Sequence, residues 1–117
     1  MKAIEIISVP VTDQQKAKQF YLDFGFTLMI ENPFQGDAMW IQLGLPEGET
    51  SITLVNWFPG LQPGSLQGFV IKCDDLDADI ERLKAKGITV GNADETPWGR
   101  FATVKDPDGN AWSLHGE

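Results

Sequence analysis

Basic side chains are scarce in this sequence. Nine Lys and Arg stand against seventeen Asp and Glu, a net charge of −8, and only two of the nine are arginines, Arg82 and Arg100. Phosphate binding needs clustered cations, so the composition argues against a nucleic-acid partner, whereas an acidic surface tolerates cationic or neutral ligands. A single cysteine, Cys73, permits no internal disulfide, which fits a reducing compartment; its simplest role is a small apolar residue packed at a strand end. No apolar run approaches the ~20 residues a membrane span needs. Met1-Lys2-Ala3-Ile4 leads straight into a strand without a signal-peptide core, so the expected setting is cytoplasmic, with no membrane partner. Histidine is also limited to one residue, His115. No Ser-His-Asp or Cys-His constellation assembles with any spacing support, and no Gly-rich phosphate loop is present.

What the chain does have is a repeated plan. With 117 residues, 42% hydrophobic and 22% charged, it has the length of a single domain and the composition of an ordinary globular one, able to bury roughly two thirds of the surface its unfolded form exposes. VTDQQKAKQFYLDFGF, from Val11, and CDDLDADIERLKAKGI, from Cys73, each carry an Asp after an apolar strand, then a short amphipathic helix, a Gly stop and an apolar residue. Asp13 and Asp75, Gly25 and Gly87, Phe26 and Ile88 are all separated by 62 positions. The chain therefore reads as one domain, 1–117, made of two modules, 1–60 and 61–117, each βαβββ.

In the first module Ala3–Pro10 is the opening strand, with Pro10 at an end or edge. Asp13 is an N-cap, and Ala17, Phe20, Tyr21 and Phe24 form an apolar stripe. Gly25 sits where a left-handed cap belongs. Strands follow at Phe26–Glu31, Ala38–Gly44 and Ser51–Asn56, separated by Asn32-Pro33 with Gly36-Asp37 and by Leu45–Glu49. In the second module Leu66–Lys72 is a strand and Asp75–Lys86 a helix with Leu76, Ile80 and Leu83 as its stripe; Arg82 faces solvent. Strands at Ile88–Val90, Arg100–Val104 and Ala111–His115 complete it. Asp106-Pro107-Asp108-Gly109-Asn110 is a hairpin turn in which Pro sets one torsion and Gly and Asn accept positive φ.

These two Asp-helix-Gly units, together with KDPDGNAWSL, resemble the vicinal oxygen chelate superfamily, which includes glyoxalase I, bleomycin-resistance proteins and extradiol dioxygenases. The resemblance spans nearly the whole chain and implies an α+β fold: tandem βαβββ modules forming a curled, cup-shaped mixed sheet with helices outside. Enzymes of the superfamily hold a divalent metal with His or Glu from the first and last strands of each module. Carried onto this sequence, those positions fall on Ile6, on Gly68, on Ser113 and within Ser51–Val55, none of which offers a carboxylate or an imidazole. Hydroxyls are poor ligands for a transition metal. His115, two residues beyond Ser113 and on the same strand face, and Glu5, which needs a register slip to face inward, are the residues left for a metal reading.

Alternation from Ile6, Gly68 and Ser113 places Ile4, Ser8, Val70, Lys72 and His115 in the cup, and Ile7, Val9, Phe69, Ile71, Trp112 and Leu114 against the helices. Ile41 and Leu43 suit the helix side, sending Trp40 and Gln42 into the cup, while Trp57, Phe58 and Trp98 lie at its rims. Large aromatics there suit flat or cationic groups; filling core or a subunit interface is their alternative role. Arg100 either clamps a ligand carboxylate or pairs with Asp94, Glu95 or Asp106. The expected function is metal-free binding of an aromatic or cationic small molecule by Trp40, Gln42, Trp57, Trp98, Arg100, Ser113 and His115, with no catalytic residue and no cofactor. By analogy with bleomycin-resistance proteins, it works as a homodimer. Two rivals stand: a metal-dependent lyase or dioxygenase of glyoxalase type using His115, Glu5 and a displaced third ligand, and a non-catalytic dimeric interaction module.

Overall fold

Apolar alternation and two Asp-capped helices build the same unit twice. The computed structural model describes residues 1–117. The first unit runs β1 (Ile6–Pro10), α1 (Gln14–Phe24), β2 (Thr27–Gln35), β3 (Ala38–Gly44) and β4 (Ser51–Val55); the second runs β5 (Phe69–Lys72), α2 (Leu76–Ala85), β6 (Asp94–Thr96), β7 (Gly99–Lys105) and β8 (Ala111–Gly116). Each forms a separate mixed four-stranded sheet, ordered β1-β4-β3-β2 and β5-β8-β7-β6. Opening and closing strands pair in parallel, Ile7 beside Ile52 in one sheet and Ile71 beside Leu114 in the other.

Both helices begin as their sequences predict. Asp13 accepts from the Lys16 amide at 3.1 Å and Asp75 from the Ala78 amide at 3.0 Å, satisfying amides that a helix start leaves free. Gly25 ends α1 at φ 126°. There the exposed Arg82 of α2 donates to the carbonyls of Asp23 (3.3 Å) and Phe24 (3.0 Å), so a solvent-side residue of one helix caps the other.

Four boundaries differ from the sequence reading. The opening strand starts at Ile6 rather than Ala3. β2 continues through Asn32-Pro33 to Gln35, which an edge strand permits because its outward amides have no ladder partner to lose; a register shift follows Pro33. β5 starts at Phe69, because Gly68 at φ 88° interrupts the extended backbone before it. Ile88–Val90 contributes only a Val90–Val104 bridge, and Asp94–Thr96 supplies the outer strand. Ile88 is instead drawn into the core next to the Gly87 stop, its amide bonding the Leu83 carbonyl at 3.0 Å, the apolar contact that commonly closes a helix end.

One core of 19 buried apolar residues joins the helix-facing sides of both sheets, from Val9, Ile41 and Leu54 to Val104, Trp112 and Leu114. Polar groups tie the halves together as well. Tyr21 of α1 donates to Asp106 (2.7 Å) and accepts from Trp112 Nε1 (2.9 Å). Asn110, fully buried, donates to the Pro10 carbonyl and to Asp106, both at 2.8 Å, and accepts from the Leu66 amide at 3.0 Å. No non-glycine residue has positive φ, so Asn110 serves this turn through its side chain and Gly109, at φ 103°, supplies the torsion.

Candidate functional site

Sheet alternation sorts the candidate residues onto faces turned away from the helices. In β3, Ile41 and Leu43 are fully buried on the helix side, leaving Trp40 and Gln42 on the other face beside Ile30 and Thr53. Trp40 and Trp57 lie nearly parallel, 6.3 Å apart at 26°. Phe34 joins them, 5.5 Å from Trp40 and 4.8 Å from Trp57, and Phe58 lies 6.0 Å from Trp57. Below the rings runs a polar chain: Trp40 Nε1 donates to Gln42 Oε1 (3.1 Å), Gln42 Nε2 to Ser51 Oγ (2.8 Å), and Ser51 Oγ to the Glu5 carbonyl (3.1 Å). Gln42 and Ser51 are buried, whereas Phe34 and Phe58 are about half exposed. Phe34 escaped sequence reasoning because Asn32-Pro33 reads as a turn, which removed it from any strand. Its aromatic type within reach of Ala38–Gly44 was the available signal.

The second sheet carries Val70, Ser113 and His115 on the equivalent face. His115 stacks on Phe101, 4.5 Å apart and 14° from parallel, and its Nε2 lies 2.7 Å from the Trp98 carbonyl. A carbonyl only accepts, so Nε2 is the donor in this contact. Trp98 itself is 77% exposed. Phe101 is a further residue that the sequence reading missed.

Arg100 is not part of this face. It shares its parity along β7 with buried Ala102 and Val104, and its guanidinium grips Asp77 of α2 through two hydrogen bonds, 2.9 and 3.0 Å, while also donating to the Glu117 carbonyl. None of the pairings expected for it, with Asp94, Glu95 or Asp106, is the contact it makes. Hydrogen bonding to Arg100, then its charge, holds the Asp77 carboxyl below the usual carboxylate range. The clamp is thus closed on the chain's own helix.

The positions that the resemblance assigns to the superfamily's metal ligands carry no carboxylate and no imidazole. Ile6 and Gly68 bring no donor, Ser51 and Thr53 bring hydroxyls, and Ser113 another. Nowhere do three His, Cys, Asp or Glu side chains converge as a metal set, so His115 and Glu5 have no third partner. Cys73 is half-buried, its thiol pushed up to about 11 by burial and then by the hydrogen bond and charge of Asp79, which leaves it a weak nucleophile at neutral pH.

A cavity of about 850 Å³ lies elsewhere. It opens between the modules on their helix side, and none of Trp40, Gln42, Trp57, Trp98, Arg100, Ser113 and His115 lines it. The structure thus brings Trp40, Gln42 and Trp57 together, groups Trp98, Ser113 and His115 on the other sheet, and takes Arg100 away from both.

Comparison with known proteins places this geometry. Residues 3–114 match the family described as the Glyoxalase/Bleomycin resistance protein/Dioxygenase superfamily. The chain is 34% identical over 119 residues to YetH, an uncharacterized protein of Bacillus subtilis strain 168, covering 97% of this chain and 98% of that one. Among solved structures it is similar to TnmS3, an antibiotic binding protein from Streptomyces sp. CB03234, with a TM-score of 0.91 and 43% identity over 98% of this chain and 95% of that chain. A glyoxalase/bleomycin resistance protein from the same Streptomyces gives 0.85 and 45%, over 95% and 97%. With its paired βαβββ modules and this match over nearly its full length, the chain belongs to the glyoxalase/bleomycin resistance protein/dioxygenase superfamily, the vicinal oxygen chelate fold.

Proposed function

We propose that this protein binds an aromatic or cationic small molecule, an antibiotic being the leading class, and does so without a metal and without catalysis. The observation that carries the reading is the partly exposed ring group of Phe34, Trp40, Trp57 and Phe58 over the buried Gln42–Ser51 pair. Flat rings gain dispersion and quadrupole complementarity against such a group, and a cation gains attraction to its faces. The polar chain below orients Trp40 and fixes Gln42. Similarity to an antibiotic binding protein at 43% identity supports the same class. A homodimer supplies the facing wall, bringing Trp98, Ser113 and His115 of a second copy into the site. A soluble setting inside the cell suits the lone unpaired cysteine.

A thermal-shift screen of cationic and aromatic antibiotics, bleomycin among them, tests this on chelator-treated protein, since a ligand specific to the native state raises its melting point. The expected result is at least one upward shift that survives chelation and quenches tryptophan emission. A shift that appears only with added zinc, nickel, manganese or iron, and is lost in His115→Ala, would establish the metalloenzyme reading instead.

A further inference from the structure

We infer that the cleft between the two modules is a second ligand site, separate from the aromatic face, and that it takes an apolar molecule carrying one ammonium group. The cleft's volume, about 850 Å³, falls in the range of pockets that hold small organic ligands, which favour boundaries between structural units. Its floor is the apolar layer under both helices: Ile7 and Ile52 from the first sheet, Ile71 and Leu114 from the second, and Phe26 between them. Its mouth is acidic. Glu47 comes from the β3–β4 loop, Asp74 from the segment before α2 and Asp79 from α2, against the single cation Lys72. Asp79 shares its charge with Arg82 at 3.6 Å. Glu47 and Asp74 appear in none of the chain's ion pairs, which join Lys2 to Glu49, Lys18 to Glu31, Arg82 to Asp79 and Arg100 to Asp77.

An ammonium group at that mouth is attracted by carboxylates that have no partner of their own, while its hydrocarbon covers the floor. A carboxylate of the same shape meets like charge, and a neutral alcohol gains only the floor. None of Trp40, Trp57 and Gln42 lines the cleft, so the two sites can be altered separately.

Cys73 lines the same cleft and is the chain's one thiol, which makes it a reporter. The experiment compares naphthalen-2-ylmethylamine with naphthalen-2-ylmethanol on the intact protein, reading affinity by calorimetry and occupancy by the rate of Cys73 alkylation with a maleimide. The amine is expected to slow alkylation and to bind about tenfold tighter than the alcohol, a difference of roughly 1.4 kcal/mol. Glu47→Gln with Asp74→Asn is expected to bring the amine's protection of Cys73 down to the alcohol's level, and Trp57→Ala, which changes only the aromatic face, to leave that protection unchanged. Both substitutions neutralise exposed side chains, and matching melting curves confirm that the fold is kept. The inference is overturned if the amine leaves alkylation unchanged, if amine and alcohol bind alike, if Trp57→Ala removes binding while the neutralised pair retains it, or if solution scattering shows a second copy filling the cleft.

Discussion

Asn110 shows how much of this fold rests on single side chains in the loop that joins the last two strands. Its amide group completes a buried set in which Asp106 Oδ1 accepts from the amides of Asp108, Gly109 and Asn110 at 2.9 to 3.0 Å, while Oδ2 receives Tyr21 and Asn110. Every buried side-chain donor and acceptor in the chain is satisfied. Removing one partner therefore strands the others, at about 1–3 kcal/mol for each buried group left unpaired. Asn110→Ala leaves the Leu66 amide without its partner and the Pro10 carbonyl with only the Gly64 amide at 3.3 Å, and urea unfolding is expected to show a loss of about 1–3 kcal/mol. Tyr21→Phe removes only the hydroxyl and should cost less. Titration at the same scale gives an alkaline limit to stability. The folded chain holds the Cys73 thiol up from 9.0 to about 11, and burial followed by the Asp106 charge also raises the Tyr21 hydroxyl above its ordinary 10.0. A raised folded-state value keeps its full contribution below the unfolded value and loses it as pH climbs. The urea midpoint should therefore fall from pH 9 upward, and in Cys73→Ala the part of the fall between pH 9 and 10 should disappear.

At the scale of the element, β7 separates the sheet face turned toward the proposed binding site from the one that holds the helix. Arg100, Ala102 and Val104 share one face, and Phe101 and Thr103 the other, so Arg100 serves α2 through Asp77. In a titration with whichever antibiotic gives a thermal shift, Arg100→Ala is expected to leave affinity unchanged, while Trp57→Ala weakens it about tenfold or more by removing one ring of the stacked pair. An Arg100→Ala loss as large as that of Trp57→Ala would put Arg100 back in the site. The parity was legible in Gly99-Arg100-Phe101-Ala102-Thr103-Val104-Lys105: Thr103 and Lys105 are exposed and mark Phe101 as their companion, and small Ala102 marks the side pressed on a helix. The helices were legible for the opposite reason, since Asp13, Gly25, Asp75 and Gly87 each impose a local geometry that needs no tertiary knowledge. What escaped was set by distant partners. Pro33 reads as a breaker until β2 is known to be an edge, and nothing local to Gln14 names its distant partners. In fact its amide bonds the Met39 backbone through both Nε2 (2.7 Å) and Oε1 (3.0 Å), and reaches the Leu54 carbonyl at 2.8 Å.

The whole molecule presents two sheets that share a core yet exchange no strand hydrogen bonds. Each leaves large apolar groups in water on the face away from its helix: Ile30 and Phe34 at 40% and 48% exposed in the first, Val70 at 55% in the second. Monomers rarely leave contiguous apolar patches of this kind uncovered, and the radius of gyration, 14.4 Å, exceeds the roughly 13 Å of a compact chain of about this length. In the proposed homodimer, a second copy offering its second sheet to the first sheet of its partner would cover both faces at once and close the ring group of Phe34, Trp40 and Trp57 into a pocket. Light scattering coupled to size exclusion is expected to give twice the chain mass. Introducing charge on either face, by Phe34→Glu or Val70→Glu, should shift that mass toward one chain and reduce antibiotic affinity together, because the pocket and the interface are then the same surface. If Val70→Glu dissociates the pair while the tryptophan emission of Trp40 and Trp57 still reports full-affinity binding, the site belongs to one chain, and the facing wall supplied by a partner is not required.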